Sequence, residues 1–200
     1  MDFDGKDHAT SLTLLRRGFA LEYATLSWNV VGMAVLVVAV WNTRSVALAG
    51  FGLDSLIEIG ASTVVLWELS GIGPERRRRA LRLIGSAFVV LAGYLVVQST
   101  VALVTGHRPD QGLLGIGWTA ATAIVMFALA AGKRRTGVEL GNPVLAMEGR
   151  VTFVDGLLAC AVLAGTSLDA LLGWWWADPA AGYVIVGYAV REARSCLSSA

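Results

Sequence analysis

The chain has 200 residues, of which 56% are hydrophobic and only 16% are charged, and its mean hydropathy is +0.64. In a soluble domain about a quarter of the residues are charged. The lower share here predicts an integral membrane protein that has a lipid bilayer as its solvent. The net charge of +1 gives no global electrostatic basis for binding nucleic acid. The two cysteines, Cys160 and Cys196, lack a metal-type spacing and predict no disulfide framework.

Six segments are apolar and long enough to cross the bilayer, which takes about 20 residues in a helix. Polar breaks rich in glycine, proline and charge separate them, among them residues 71–74, 106–111 and 132–136. The predicted fold is therefore an all-α bundle of six transmembrane helices. Residues 1–14 are expected to form a polar cytoplasmic tail, residues 15–195 the membrane domain and residues 196–200 a short C-terminal tail. The six predicted segments are 18–41, 45–69, 81–105, 112–132, 143–167 and 174–191.

Basic residues orient this predicted bundle, because loops rich in lysine and arginine stay in the cytoplasm. They cluster before the first segment, in the second and fourth breaks, and after the sixth segment. Both termini are therefore predicted to be cytoplasmic, in the cell (plasma or inner) membrane. The opposite breaks are poor in basic residues, and three tryptophans, Trp174 to Trp176, suit the outer interface. The basic clusters are Arg16 with Arg17, Arg76 to Arg79 with Arg82, Lys133 to Arg135, and Arg191 with Arg194.

Three carboxylates lie deep inside predicted segments, where an unpaired charge is costly. Asp54 and Glu58 are four residues apart and share one helix face. Counted from the segment starts, Asp54 lies about 13 Å and Glu58 about 20 Å from the outer side, and Asp155 about 18 Å from the inner side. These depths bracket the middle of a core roughly 30 Å thick. Three anions at one depth repel each other unless cations or protons compensate them, so the pattern predicts a cation site.

Other charged residues in the segments leave alternatives open. The acids could instead pair with Arg150 or with polar groups such as Asn29 and Gln98, although one arginine cannot neutralise three carboxylates. Glu148 precedes Asp155 by about 10 Å along the helix axis, which suits a position for cation access or proton relay. Glu22 is a second candidate for that role, with Arg150 as its alternative partner.

An internal repeat supports the predicted site. Residues 45–58 (SVALAGFGLDSLIE) and 142–155 (NPVLAMEGRVTFVD) share small and apolar positions, and Glu58 aligns with Asp155. The two segments run in opposite directions in the predicted topology. Helices 1–3 and 4–6 therefore form a candidate inverted repeat, whose interface near the midplane commonly holds a transporter's substrate.

These residues resemble the cation diffusion facilitator family of metal exporters. Helix two of that family reads roughly S-x-A-L-x-A-D-A-x-x-S-x-x-D, and residues 45–62 here read SVALAGFGLDSLIEIGAS. The resemblance implies that Asp54 and Glu58 are the helix-two metal pair. Helix five of the family carries an H/D-x-x-x-D pair, which assigns the second ligand to Asp155. Trp176-Ala177-Asp178-Pro179 is similar to the start of helix six.

Two departures from the family pattern matter. Val151 occupies the position of the first helix-five ligand, typically His or Asp, and leaves three carboxylates as the predicted ligands. Carboxylates favour harder cations such as Mn²⁺, whereas imidazole favours Zn²⁺. The family's usual cytoplasmic C-terminal domain, which commonly helps dimerisation, is not expected here, so a homodimer would form through the transmembrane helices.

The sequence therefore predicts a divalent metal cation transporter that exports metal in exchange for protons by alternating access. The transported ion is expected to be Mn²⁺, Fe²⁺, Co²⁺ or Zn²⁺, with no permanent cofactor. An intramembrane enzyme is disfavoured because the only histidines, His8 and His107, fall at segment edges. The alternative is a non-transporting membrane subunit or scaffold of the same fold with a degenerate metal site, for which Val151 is the main argument.

Overall fold

The computed structural model describes residues 3–43, 46–106 and 113–199, and side chains in residues 11–35, 55–106, 116–165, 167–168, 171–177 and 179–199. Within these ranges the chain forms six α-helices and no strand. The predicted all-α class, the number of helices and their order are confirmed. The helices are α1 (Phe3–Thr43), α2 (Val46–Leu69), α3 (Pro74–Thr105), α4 (Leu113–Glu139), α5 (Pro143–Leu172) and α6 (Ala177–Ser198).

The tight connection between α2 and α3 follows directly from its sequence. Gly73 adopts a φ of 145°, a conformation that side chains rarely tolerate, and Pro74 follows in the first turn of α3, where its missing N–H costs nothing. The Arg76 guanidinium donates to the Trp67 carbonyl, one of the free carbonyls at the end of α2, and to Ser70 Oγ at 2.9 Å. This arginine therefore caps α2 from the start of α3.

Asn142 begins α5 and ties three helices together at the same end of the bundle. Its Oδ1 accepts the backbone N–H groups of Val144 and Leu145 at 2.9 and 3.1 Å, as an N-cap does. Its Nδ2 donates to Glu68 on α2 at 2.7 Å, and Glu68 pairs with Arg77 on α3 at 3.7 Å. We call this end, with the α2–α3 and α4–α5 connections, the basic end.

The helices extend beyond several of the predicted segments. Residues 132–136 do not form a turn: α4 runs through them to Glu139, and the turn follows at Leu140 to Asn142, where Gly141 has a φ of 63°. The glycine and three basic residues resembled a break, but no residue there stops a helix, since lysine and arginine are good helix formers. At the other terminus α1 begins at Phe3, so the predicted tail at residues 1–14 is helical from that point.

Small residues bring α4 and α5 into close contact. A Cβ at Gly137 would lie 2.6 Å from the backbone nitrogen of Ala146, and a Cβ at Gly149 would lie 3.1 Å from that of Arg134. A Cβ at Gly156 would lie 2.9 Å from the Phe127 ring. Glycines at such contacts let two backbones approach closely, which is how helices pack in membranes where no hydrophobic force drives them together.

The helix contacts follow the same pattern in the two halves of the chain, helices α1–α3 and α4–α6. In the first half α1 packs on α2 and α2 on α3; in the second α4 packs on α5 and α5 on α6. Across the halves α1 meets α4, α2 meets α5 and α3 meets α6, with a further contact between α3 and α5. This pairing is the one expected of two repeats of three helices, and the inverted orientation of the repeats stays a prediction.

Within the described residues, two helices contain an 18-residue stretch hydrophobic enough to cross a membrane by length and composition alone. They are α3, with a mean hydropathy of 2.1 over that stretch, and α4 from Ile116 onward, with 1.4. Many large apolar side chains on α3 are exposed on its outer surface, including Val89, Val97 and Val101. An apolar exterior of this kind suits lipid as the surrounding solvent.

We expect Gly137→Ala to lower the thermal unfolding temperature of the detergent-purified protein, because the new methyl group overlaps the backbone of α5. Gly93→Ala is the matched control, since a Cβ there meets no atom within 4 Å. Thermal unfolding followed by intrinsic tryptophan fluorescence makes the comparison. Equal effects of the two substitutions would contradict the close α4–α5 contact.

Candidate cation site

A buried polar cluster links four helices in the half of the bundle nearer the basic end. We define this charged cluster as Glu22 from α1, Glu58 and Ser62 from α2, Lys133 from α4, and Glu148 and Thr152 from α5. None of these side chains is more than 2% exposed. Charged residues are almost never fully buried unless they are paired, so four of them in one cluster require mutual compensation.

Lys133 lies at the centre of the charged cluster. Its Nζ donates to Glu148 Oε1 at 2.6 Å and to Thr152 Oγ1 at 3.1 Å, and it lies 3.1 Å from Glu22 Oε2. Glu148 and Thr152 accept hydrogen bonds from the ammonium group, and Glu22 is its ion-pair partner. A lysine that was predicted to mark a cytoplasmic loop is therefore an internal counter-ion.

Thr152 connects this lysine to the carboxylate of α2. Its hydroxyl donates to Glu58 Oε1 at 2.6 Å while its oxygen accepts from Lys133. Ser62, one turn after Glu58, donates to Glu148 Oε1 at 3.1 Å. Spacings of four residues on both α2 and α5 place these groups on facing sides of the two helices, so that the network is continuous from Lys133 to Glu58.

The cluster is short of positive charge. Three carboxylates against one ammonium leave a net charge of −2 when all four groups are ionised (3 × −1 plus 1 × +1). Both carboxylate oxygens of Glu22, Glu58 Oε2 and Glu148 Oε2 are buried and have no hydrogen-bond partner among the described residues. Buried polar atoms without partners are rare and costly in native structures. The arrangement therefore suits compensation by further cations or protons.

The structure brings together part of the predicted metal trio. Glu58 is buried and Asp155 half-buried on the facing helix, close enough for the two carboxylates to repel each other. The side chain of Asp54 lies outside the described residues. In the described part of the chain no three His, Cys, Asp or Glu side chains converge closely enough to hold one metal ion. The trio therefore stays a prediction.

In the described part of the chain Arg150 pairs with Glu192 rather than with Glu22 or Glu58. Its Nη1 lies 2.5 Å from Glu192 Oε2 on α6, on the other side of α5 from the charged cluster. Glu192 is 5% exposed, and this arginine compensates its charge. The predicted role of Arg150 as a charge partner for the carboxylates stays a prediction, and among the described side chains α5 directs Glu148 and Arg150 to different neighbours.

The structure also describes the surroundings of Asn29, a possible partner of the acids, and of Val151. Asn29 donates its side-chain amide to the Thr25 carbonyl of its own helix at 3.1 Å, rather than to a carboxylate. Val151, at the position of the expected helix-five ligand, is 1% exposed and belongs to the hydrophobic core with Val154 and Ile185. Val151, an apolar residue where the resemblance predicts a metal ligand, therefore lies in an apolar environment.

Lys133 and Ser62 were missed by reasoning from the sequence, although a signal for Lys133 exists. The buried face of α4 recurs at Ala123, Met126, Ala130 and Gly137, spaced by three, four or seven residues. Lys133 falls in this register, whereas Arg134 and Arg135 are exposed. A lysine in phase with the core face of a helix predicts a buried partner, and the nearest acids in the sequence are Glu139 and Glu148.

A bundle of six helices with an apolar exterior and buried carboxylates in its interior defines the class of polytopic membrane transporters. The family model described as the cation efflux transmembrane domain matches residues 23–200. The chain therefore belongs to the cation efflux family, whose members are transporters and not enzymes, and it is an integral membrane protein. No characterised protein in the comparison matches the chain.

Lys133→Met is expected to lower the free energy of unfolding by about 3–5 kcal/mol, because removal of one partner leaves buried carboxylates uncompensated. Combining it with Glu148→Gln should cost less than the sum of the single changes, since the two groups are in direct contact. Reversible unfolding in mixed detergent micelles measures both effects.

The control is Arg135→Met, which removes an exposed positive charge two residues further along α4. A change within about 0.5 kcal/mol is expected there, as for most surface substitutions. Equal losses for Lys133→Met and Arg135→Met would show that the ammonium group is not an internal counter-ion.

Proposed function

We propose that the protein exports a divalent metal cation in exchange for protons. The observation that carries the proposal is the charged cluster, which buries three carboxylates against one lysine between α1, α2, α4 and α5. Its residual charge of −2 equals the charge that one divalent cation or two protons would compensate. Groups that interact this strongly exchange protons and cations as a coupled set rather than singly.

Asp54, Glu58 and Asp155 are proposed as the metal ligands. Glu58 belongs to both the ligand set and the charged cluster, and Asp155 lies close to it on α5. Asp54 precedes Glu58 by one helical turn, about 6 Å along α2. Cation binding at this level would be favoured by three anions in a medium of low dielectric constant.

Glu148 and Glu22 are proposed as the route for cation access or proton relay. They lie nearer the basic end than Glu58, and Thr152 links Glu148 and Lys133 to Glu58 through short hydrogen bonds. In the metal-free state Lys133 would partly neutralise these acids, so that the bundle does not bury three bare charges. Alternating access of the two halves would then expose the ligands to each side in turn.

Carboxylate ligands without imidazole favour harder cations. We therefore propose Mn²⁺ or Fe²⁺ as the preferred substrates over Co²⁺ and Zn²⁺. The plasma or inner membrane is the proposed location, with both termini in the cytoplasm because the basic end carries most of the arginines. A homodimer through transmembrane helices is the proposed assembly.

A non-transporting subunit of the same fold is the alternative proposal. It is favoured by Val151, which packs in the apolar core at the position where a helix-five ligand is expected. Against it stands the residual charge of −2 in the charged cluster, because a purely structural ion pair needs no carboxylates beyond those that its lysine compensates.

In proteoliposomes with an imposed pH gradient, we expect uptake of a divalent metal that depends on the gradient, and we expect Asp155→Ala to abolish it by removing a ligand. Fluorescent indicators for metal and pH, enclosed in the vesicles, report both fluxes. Glu139→Ala is the control, since it removes an exposed acid at the end of α4. Folded protein that moves none of the four metals would favour the non-transporting alternative.

The same vesicles test metal preference. Mn²⁺ or Fe²⁺ is expected to enter faster than Zn²⁺, because no imidazole is available to the three-carboxylate ligand set. Transport of Zn²⁺ with Mn²⁺ and Fe²⁺ both inert would contradict the proposed ligand set while leaving cation transport itself intact.

A further inference from the structure

A groove opens between α4 and α6, with α5 as its floor, on the side of α5 away from the charged cluster. It has a volume of about 460 Å³, within the usual range for small-molecule sites. Gly149 lies in its floor, beside the arginine and aromatic side chains that form its walls. We call it the arginine groove, after the three arginines that line it: Arg134 from α4, Arg150 from α5 and Arg191 from α6.

The three arginines lie at one level. Counted from the helix ends at the basic end, Arg134 on α4 is about 8 Å inward and Arg150 and Arg191 are each about 11 Å inward. All three line the groove together with Tyr188. Glu192 is the acid in the groove lining, so the described lining carries a net charge of +2 (three arginines minus one glutamate).

Glu192 holds one of these arginines in position. It is nearly buried and bonds Nη1 of Arg150, whose side chain remains 37% exposed. A guanidinium has five N–H donors, so Arg150, which lines the groove, keeps donors beyond the one that Glu192 accepts. Such preorganisation lowers the entropy cost of binding an anion.

A row of aromatic rings lies directly above the arginines. Phe127 and Phe153 have ring centroids 5.4 Å apart, and Phe153 and Tyr188 6.1 Å. Counted from the same end, the three rings are about 15–18 Å inward along their helices. Each of the three helices therefore supplies one arginine nearer the basic end and one aromatic ring nearer the middle of the membrane.

We propose that the arginine groove binds an anionic phospholipid, with its phosphate among the three arginines and the start of an acyl chain against the aromatic row. Arginine pairs with phosphate through parallel hydrogen bonds, and basic pockets between transmembrane helices on the cytoplasmic side bind anionic headgroups. The order of charged and apolar walls in the groove matches the order of headgroup and chain in one lipid leaflet. A net positive groove does not suit the transported cation, so this site is separate from the proposed metal route.

The test is lipid binding to the purified, metal-free protein in neutral detergent, measured by native mass spectrometry. Phosphatidylglycerol, phosphatidylcholine and inorganic phosphate are titrated separately. We expect phosphatidylglycerol to bind about tenfold or more tightly than phosphatidylcholine, given the contribution of several arginines near an anionic headgroup. Inorganic phosphate should bind far more weakly because it makes no contact with the aromatic row. Equal affinities for the two lipids would overturn the proposal, and phosphate binding as tightly as phosphatidylglycerol would identify a soluble anion as the ligand instead.

Variants locate the site. R134Q/R191Q should weaken phosphatidylglycerol binding by about tenfold and leave phosphatidylcholine unchanged. R79Q/R82Q removes the same charge from exposed positions on α3 and should change neither affinity by more than about twofold. Equal losses in both double variants would show a general basic surface and overturn the groove.

Phe153→Ala keeps all three arginines and should weaken phosphatidylglycerol without affecting inorganic phosphate. If R134Q/R191Q unfolds, this variant and R191Q alone carry the test. Unchanged phosphatidylglycerol binding in both would overturn the proposal. Since no metal or pH gradient is present, the outcome does not depend on whether the protein transports cations.

Discussion

The burial of Lys133 is the interaction on which the arrangement of the bundle's interior depends. A fully buried ammonium group is stable only when anions surround it, and here Glu22 and Glu148 reach it from two other helices. Thr152 extends the network to Glu58. One positive charge on α4 thus fixes the relative positions of α1, α2 and α5. Removing this charge would leave several buried carboxylates to repel one another.

The same network links stability to the proposed transport. A site that must release its cation cannot bury bare carboxylates between cycles, because the desolvation of unpaired charges costs several kcal/mol per ion in real proteins. The ammonium group of Lys133 is part of the chain, so its partial compensation of the carboxylates persists after the cation has been released. The residual charge is left for the exchanging cation or protons, so the internal lysine and the transported ion would act on one set of acids.

The two faces of α5 have opposite electrostatic character. Glu148 and Thr152 face the charged cluster, while Arg150, two residues after Glu148, faces Glu192 and the arginine groove. Residues two apart on a helix point in widely different directions. One helix can therefore separate the charged cluster, which has a net negative charge, from a groove of net positive charge near the same end of the bundle.

The sequence by itself determined the number and order of the helices, because long apolar stretches with few charges have no stable place except in lipid. It also pointed to Glu58, Asp155 and Glu148, since carboxylates inside such stretches need a reason to be there. The partners of those acids were decided only by the tertiary structure. Lys133 lay in a run of basic residues that resembled a loop, and the continuation of α4 to Glu139 turned it toward Glu148. Arg150 was drawn to Glu192 for the same physical reason: which neighbour a charged side chain meets depends on helix rotation and packing, and neither can be read from one chain's composition.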